Sequence, residues 1–82
     1  MHRYWFQFEH SDTPSPLNLG CGITAHSEAD ALKILHDKVF SAYGPRKIAT
    51  TIVDVDISTL DENHVRPNMG LVVQRGVWFP LQ

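Results

Sequence analysis

Residues 20–44 read GCGITAHSEADALKILHDKVFSAYG, and their pattern decides the architecture. Ser27 is a good N-cap, and Asp30 three residues later approximates a capping box. Glu28 and Asp30 suit the positive end of a helix dipole. Ala29, Leu32, Leu35, Val39 and Tyr43 then recur at helical spacing, flanked by Phe40 and Ala42, which predicts an amphipathic helix over Glu28–Tyr43. Asp30, Lys33, Asp37 and Ser41 fall on the opposite side. Two residues break the pattern: Ile34 projects toward the polar side and His36 toward the apolar stripe. Gly44 supplies a residue able to take the left-handed C′ conformation, and Pro45 forbids continuation.

Working outward, Leu17, Leu19, Cys21, Ile23 and Ala25 alternate as a strand leading into that helix. Gly20 and Gly22 share its other face. Glycines there mark a bulge, a ligand's close approach, or a crossing aromatic such as Trp5. Upstream, Arg3–Glu9 alternates with Tyr4, Phe6 and Phe8 on one face, and Trp5 is the large apolar exception on the other. His10–Pro16, HSDTPSP, is a turn-forming loop between the two strands.

Downstream, Lys47–Ile57 is rich in β-branched residues and reads as the longest strand, with Ala49, Thr51, Val53, Val55 and Ile57 as the face that meets the helix. Ser58–Met69 is irregular: Ser58 with Asp61 can cap one helical turn, and Arg66–Gly70 reads as a turn. Leu71–Val73 reads as a short strand. Val77–Phe79 either extends it or forms a hairpin with it across Gln74–Gly76. The order β-β-α-β-β predicts an α+β fold in two layers: an antiparallel sheet of three to five strands with one main helix on one face.

With 82 residues the chain, 1–82, is one domain. Its formal net charge of −2 and dispersed basic residues argue against nucleic-acid binding. No apolar run reaches the length of a membrane span. Gln7, Glu9 and His10 interrupt what would otherwise be a signal-peptide core at the N-terminus, and Cys21 has no second cysteine to pair with. The expectation is a cytoplasmic protein without membrane contact or cofactor.

RYWF at 3–6, GCGITA at 20–25, DVDISTLDENHV at 54–65, PNMG at 67–70 and RGVWFP at 75–80 together resemble a family of small uncharacterised bacterial proteins. The resemblance spans nearly the whole chain. It implies a freestanding bacterial one-domain protein and carries over no activity, cofactor or functional residue.

Candidate chemistry is sparse. Asp54 and Asp56 lie on one strand face about 7 Å apart, given a rise of ~3.3 Å per residue. With Asp61 and His64 they form an alternative set for a divalent metal or for acid–base work, against the plainer reading of solvent-facing charge at a strand end. None of the five histidines falls in a zinc-binding spacing. Cys21 reads as a small inward hydrophobe rather than a nucleophile. Gly20-Cys21-Gly22 lacks the rest of a phosphate loop.

Trp5, Ile48, Ile52 and Trp78 suggest an apolar patch on the sheet face away from the helix, unless the sheet curls or the STLDENHV segment covers them. The functional expectation is a non-catalytic interaction module. It would bind an unknown protein partner or itself, as a homodimer, through the uncovered sheet face or an edge strand.

Overall fold

The computed structural model describes residues 1–80. Four strands, β1 (His2–Phe8), β2 (Cys21–Ala25), β3 (Ile48–Val53) and β4 (Gly76–Phe79), form one sheet in the order β3-β1-β2-β4. Every neighbouring pair is antiparallel. Between β2 and β3 runs helix α1 (Glu28–Ile34), which continues through a π-helical stretch (Leu35–Phe40) into a last α-helical turn (Ser41–Tyr43). The architecture is α+β with one main helix, as the pattern around residues 20–44 requires.

Both helix ends follow local chemistry. The Ser27 hydroxyl accepts from the Asp30 N–H at 3.1 Å. Gly44 has φ 91° and ψ 157°, so it takes positive φ but stays extended, and it turns the chain toward β3 rather than closing a left-handed cap. The buried face differs from the even 3.6-residue stripe. Ala31, Ile34, Leu35, Val39 and Phe40 are buried, while Ala29 and His36 are exposed. A π turn bonds residues five apart, which brings Leu35 and Phe40 onto one face. His36 is left outside, its ring edge-on to Phe40 at 5.0 Å. Ile34 turns inward because β4 extends the sheet beneath that side of the helix; Ile34 and Val77 line the same cleft.

Several strands are shorter than their alternation suggests. Pro16–Asn18 form a 3-10 turn whose N–H at Leu17 is capped by the Ser15 hydroxyl, so β2 starts only at Cys21. β3 ends at Val53, because Asp54 has φ 52° and breaks the extended run. Beyond that break Val55, expected to meet the helix, joins the core on the other side of the sheet. Leu71–Val73 is turn rather than strand, which leaves β4 as the only strand in the last segment of the described chain.

β1 sends its side chains into two separate cores. Tyr4 and Phe6 join Leu17, Cys21, Ile23, Ala25 and the helix residues Ala31, Leu35 and Val39. Trp5 faces the other way and packs with Trp78 and Phe79 under Val55, Leu60 and Val65. The apolar patch expected on this face is therefore not exposed: Trp5 is 2% accessible and Trp78 0%. The chain after β3 folds back across the sheet through 3-10 turns at Ile57–Thr59 and Arg66–Asn68 and seats a second apolar layer on the tryptophans. The two indoles stack, with centroids 5.7 Å apart and planes 25° from parallel.

Ile48 leaves the expected patch for a different reason. The β1–β3 register shifts between Gln7 and Phe8, so Ile48 pairs with Phe8 and packs against the helix-side core. The second face of the sheet explains both strand glycines. A Cβ at Gly22 would overlap the Trp78 indole, and one at Gly20 would overlap the Trp5 indole and meet the Phe6 carbonyl at 2.9 Å.

Candidate interaction edge

β3 is an outer strand of the sheet, held on one side by β1. Among the described residues, no backbone hydrogen bond joins its other side to any segment. The outer strand at the opposite margin, β4, is partly closed: the Gly70 N–H donates to the Trp78 carbonyl at 2.7 Å, and the Thr24 hydroxyl donates to the Val72 carbonyl at 2.6 Å, which holds the same loop on the sheet.

An open edge is usually blunted by charge, proline or a bulge within the strand. Ile48–Val53, IATTIV, carries no charge and no proline, and every residue from Thr50 to Val53 is β-branched. Two side chains stand partly free beside the edge. Ile52, opposite Trp5, is 38% accessible on the second face, and Val53, opposite Tyr4, is 51% accessible on the helix face. Charge appears only at the ends, with Arg46-Lys47 before the strand and Asp54 and Asp56 after it. The Arg46 guanidinium donates to the Glu9 carbonyl at 2.8 Å and to Asn18 Oδ1 at 3.0 Å, and it lies over the Phe8 ring.

The acidic set is used locally. His2 Nδ1 lies 3.0 Å from both Asp54 oxygens, and this hydrogen bond holds the Asp54 carboxyl below its ordinary pKa. Asp56 accepts from the Ser58 hydroxyl at 2.7 Å and the Ser58 N–H at 3.0 Å; those two bonds lower its pKa. Asp61 accepts from the His64 N–H at 2.9 Å and the Asn63 N–H at 2.7 Å, again with a lowered pKa. Each carboxylate thus caps its own turn or pins its own terminus. Among the described residues, no three His, Cys, Asp or Glu side chains come together to hold a metal ion, so the convergence that the Asp54, Asp56, Asp61 and His64 alternative needs is not found. The cap also belongs to different residues than expected: Asp56, not Ser58, starts the 3-10 turn at Ile57–Thr59.

Cys21 is fully buried, and desolvation pushes its thiol up to about 12, so it serves as a core atom and not as a nucleophile. A cleft of about 500 Å³ between the helix and the start of β4 is lined by Lys33, Ile34, Asp37, Lys38, Arg75, Gly76 and Val77. Among the described residues its lining includes no Ser, Thr, Cys, His or Tyr. Its Arg75 is engaged with Asp30 through bonds of 2.6 and 2.9 Å, tying the strand β4 margin to the helix N-terminus.

That pair sets a pH dependence. Arg75, helped by the His26 N–H, holds the Asp30 carboxyl well below the usual carboxylate range. A depressed folded pKa adds stability that is present above the unfolded value of about 4 and is lost as pH falls through the folded one. Asp30→Asn removes this contribution. In urea titrations it lowers the midpoint at neutral pH, and the gap between variant and parent closes as pH is taken below about 4. A gap that stays constant across that window would show that the carboxylate charge is not what matters.

No helix among the described residues is long and apolar enough to cross a membrane. Comparison with family models, with curated proteins and with solved structures finds no match to this chain.

Proposed function

We propose that the chain is a non-catalytic protein-interaction module that works by adding a strand to its sheet at the open side of β3. The observation that carries the proposal is the uncharged, proline-free margin of Ile48–Val53, unpaired on its outer side among the described residues. Unpaired backbone N–H and C=O groups along such a margin supply affinity to any extended segment laid against them, and the flanking side chains supply selectivity. The tryptophans of the second face are buried, and the cleft beside the helix is lined by no Ser, Thr, Cys, His or Tyr among the described residues. A cytoplasmic location belongs to the same proposal and is supported by the single unpaired cysteine.

The test is an NMR titration of the ¹⁵N-labelled protein with a capped peptide of its own sequence from Lys47 to Asp54. Strand addition shifts amides concentrated in 47–54 and slows their exchange with solvent, and Val53→Lys suppresses both. Shifts scattered over other elements, or none at millimolar concentration of this peptide and of other uncharged strand peptides, would remove the edge from consideration.

A further inference from the structure

We infer that the segment accepted at this edge is β3 of a second copy of the same chain, running antiparallel, so that the two sheets join into one across a two-fold axis. The inference rests on the edge-pairing proposal above and names its partner.

The charges make the edge self-complementary. β3 begins after the basic pair Arg46-Lys47 and ends before Asp54-Val55-Asp56. Two copies laid antiparallel place the basic end of each beside the acidic end of the other. A parallel arrangement would set like charges together at both ends. Opposite charges across neighbouring strands stabilise a pair and like charges oppose it, so the sequence itself selects the antiparallel, two-fold arrangement. Arg46 is already oriented by the Glu9 carbonyl and Asn18, and Asp54 by His2, so neither end has to be ordered on association.

The apolar side chains agree with the same arrangement. Ile52 and Val53 project to opposite faces at the acidic end of the strand. An added strand covers the inner margins of both, one from each side of the sheet. With the axis at Thr51, that residue meets its own copy on the helix face, where a threonine pair packs and hydrogen-bonds well across strands. The register shift against β1 leaves Ala49 as an extra residue, so the regular margin open to pairing is Thr50–Val53, which lacks charge, proline and glycine.

The experiment is sedimentation equilibrium of the full chain from micromolar to millimolar concentration, on the parent, on Lys47→Glu and on Asp54→Lys. Both positions are exposed, and circular dichroism checks that each variant is folded. The parent forms a concentration-dependent dimer. Each variant alone dimerises about tenfold or more weakly, because like charges now face each other at both ends. An equimolar mixture of the two recovers the parent's affinity as a heterodimer, since the carboxylate introduced in one copy then meets the ammonium introduced in the other. A misfolded variant cannot give this recovery.

A parent that stays monomeric at millimolar concentration overturns the inference, and so does a dimer indifferent to the charge exchange. The peptide titration separates the two levels. If the protein is monomeric yet other uncharged strand peptides still shift the β3 amides, the edge binds a different chain and only the partner is wrong. If no peptide binds, the interaction proposal falls as well.

Discussion

Trp78→Ala lowers the free energy of unfolding by about 3–5 kcal/mol, the range for deleting a fully buried aromatic side chain. The indole has 0% accessibility, stacks on Trp5 and fills the space over Gly22. Small domains have only about 5–15 kcal/mol in total, so the variant is close to its limit of stability. One effect works the other way. Trp78 Nε1 is buried with no hydrogen-bond partner among the described residues, and its removal relieves a cost of about 1–3 kcal/mol, which puts the expected loss at the low end of the range.

Gly22→Ala reports on the same contact from the other side. Its Cβ would strike a ring that is rigid and enclosed, an overpacking cost of about 1–3 kcal/mol. In the Trp78→Ala background the obstacle is gone, and the alanine also favours folding by restricting the unfolded chain. The cycle is therefore strongly non-additive, with the Gly22→Ala penalty vanishing in the double variant. Urea unfolding followed by far-ultraviolet circular dichroism measures all four proteins. Additive losses would mean that Gly22 is needed for its backbone and not for the tryptophan.

The second large effect concerns the covering segment. Val65 is 1% accessible and sits on the tryptophan layer, held by a short turn in which Val65 and Arg66 both donate to the Asp61 carbonyl. Val65→Asp would bury a carboxylate with no partner, and the charge stays in water instead, at a cost of several kcal/mol in lost apolar contact and displaced chain. The expected result is a red shift of tryptophan emission and faster acrylamide quenching, far beyond those of Val65→Ala. Helical circular dichroism is largely kept, because α1 and its core lie on the other side of the sheet. Emission unchanged from the parent would mean that Val65 does not seal the indoles. Loss of the helix together with the red shift would mean that the two layers form one cooperative unit.

These two tests bear on the part of the molecule least visible in its sequence. Ser27, Gly44 and Pro45 bracket the helix with local signals, and those signals are realised because capping depends on neighbours within one turn. The inward face was harder to read. A 3.6-residue stripe puts His36 inside and Ile34 outside, and the π-helical stretch at Leu35–Phe40 with β4 beneath Ile34 reverses both.

Val55, Leu60 and Val65 show no helical or strand period, since the segment carrying them is built from short turns. Their role as a cover appears only once Trp5 and Trp78 are known to need one. The glycines at 20 and 22 carried part of that information: a crossing aromatic such as Trp5 was one of three readings they allowed, beside a bulge and a ligand's approach, and indoles do lie against both. For the interaction edge, composition marked Lys47–Ile57 as a strand, of which Ile48–Val53 is realised, but its place at the margin depends on the order β3-β1-β2-β4, a long-range property that no local pattern encodes. The acidic run was legible as residues and misleading as a cluster, because Asp56 and Asp61 cap their own turns while Asp54 pairs with His2.

The alternation of β1 between the two cores has a consequence for sequence drift. Tyr4 and Phe6 belong to one core and Trp5 to the other, while β2 and β3 hold the strand on both sides. Inserting or deleting a single residue between Tyr4 and Phe6 exchanges inside and outside for everything beyond it, driving an indole into the space of a phenyl ring and a phenyl ring into the space of an indole. Side chains here can be traded one at a time for others of similar size, but the length of this strand cannot change by one, and descendants of this chain should vary in the loop that follows β1 while keeping its residue count.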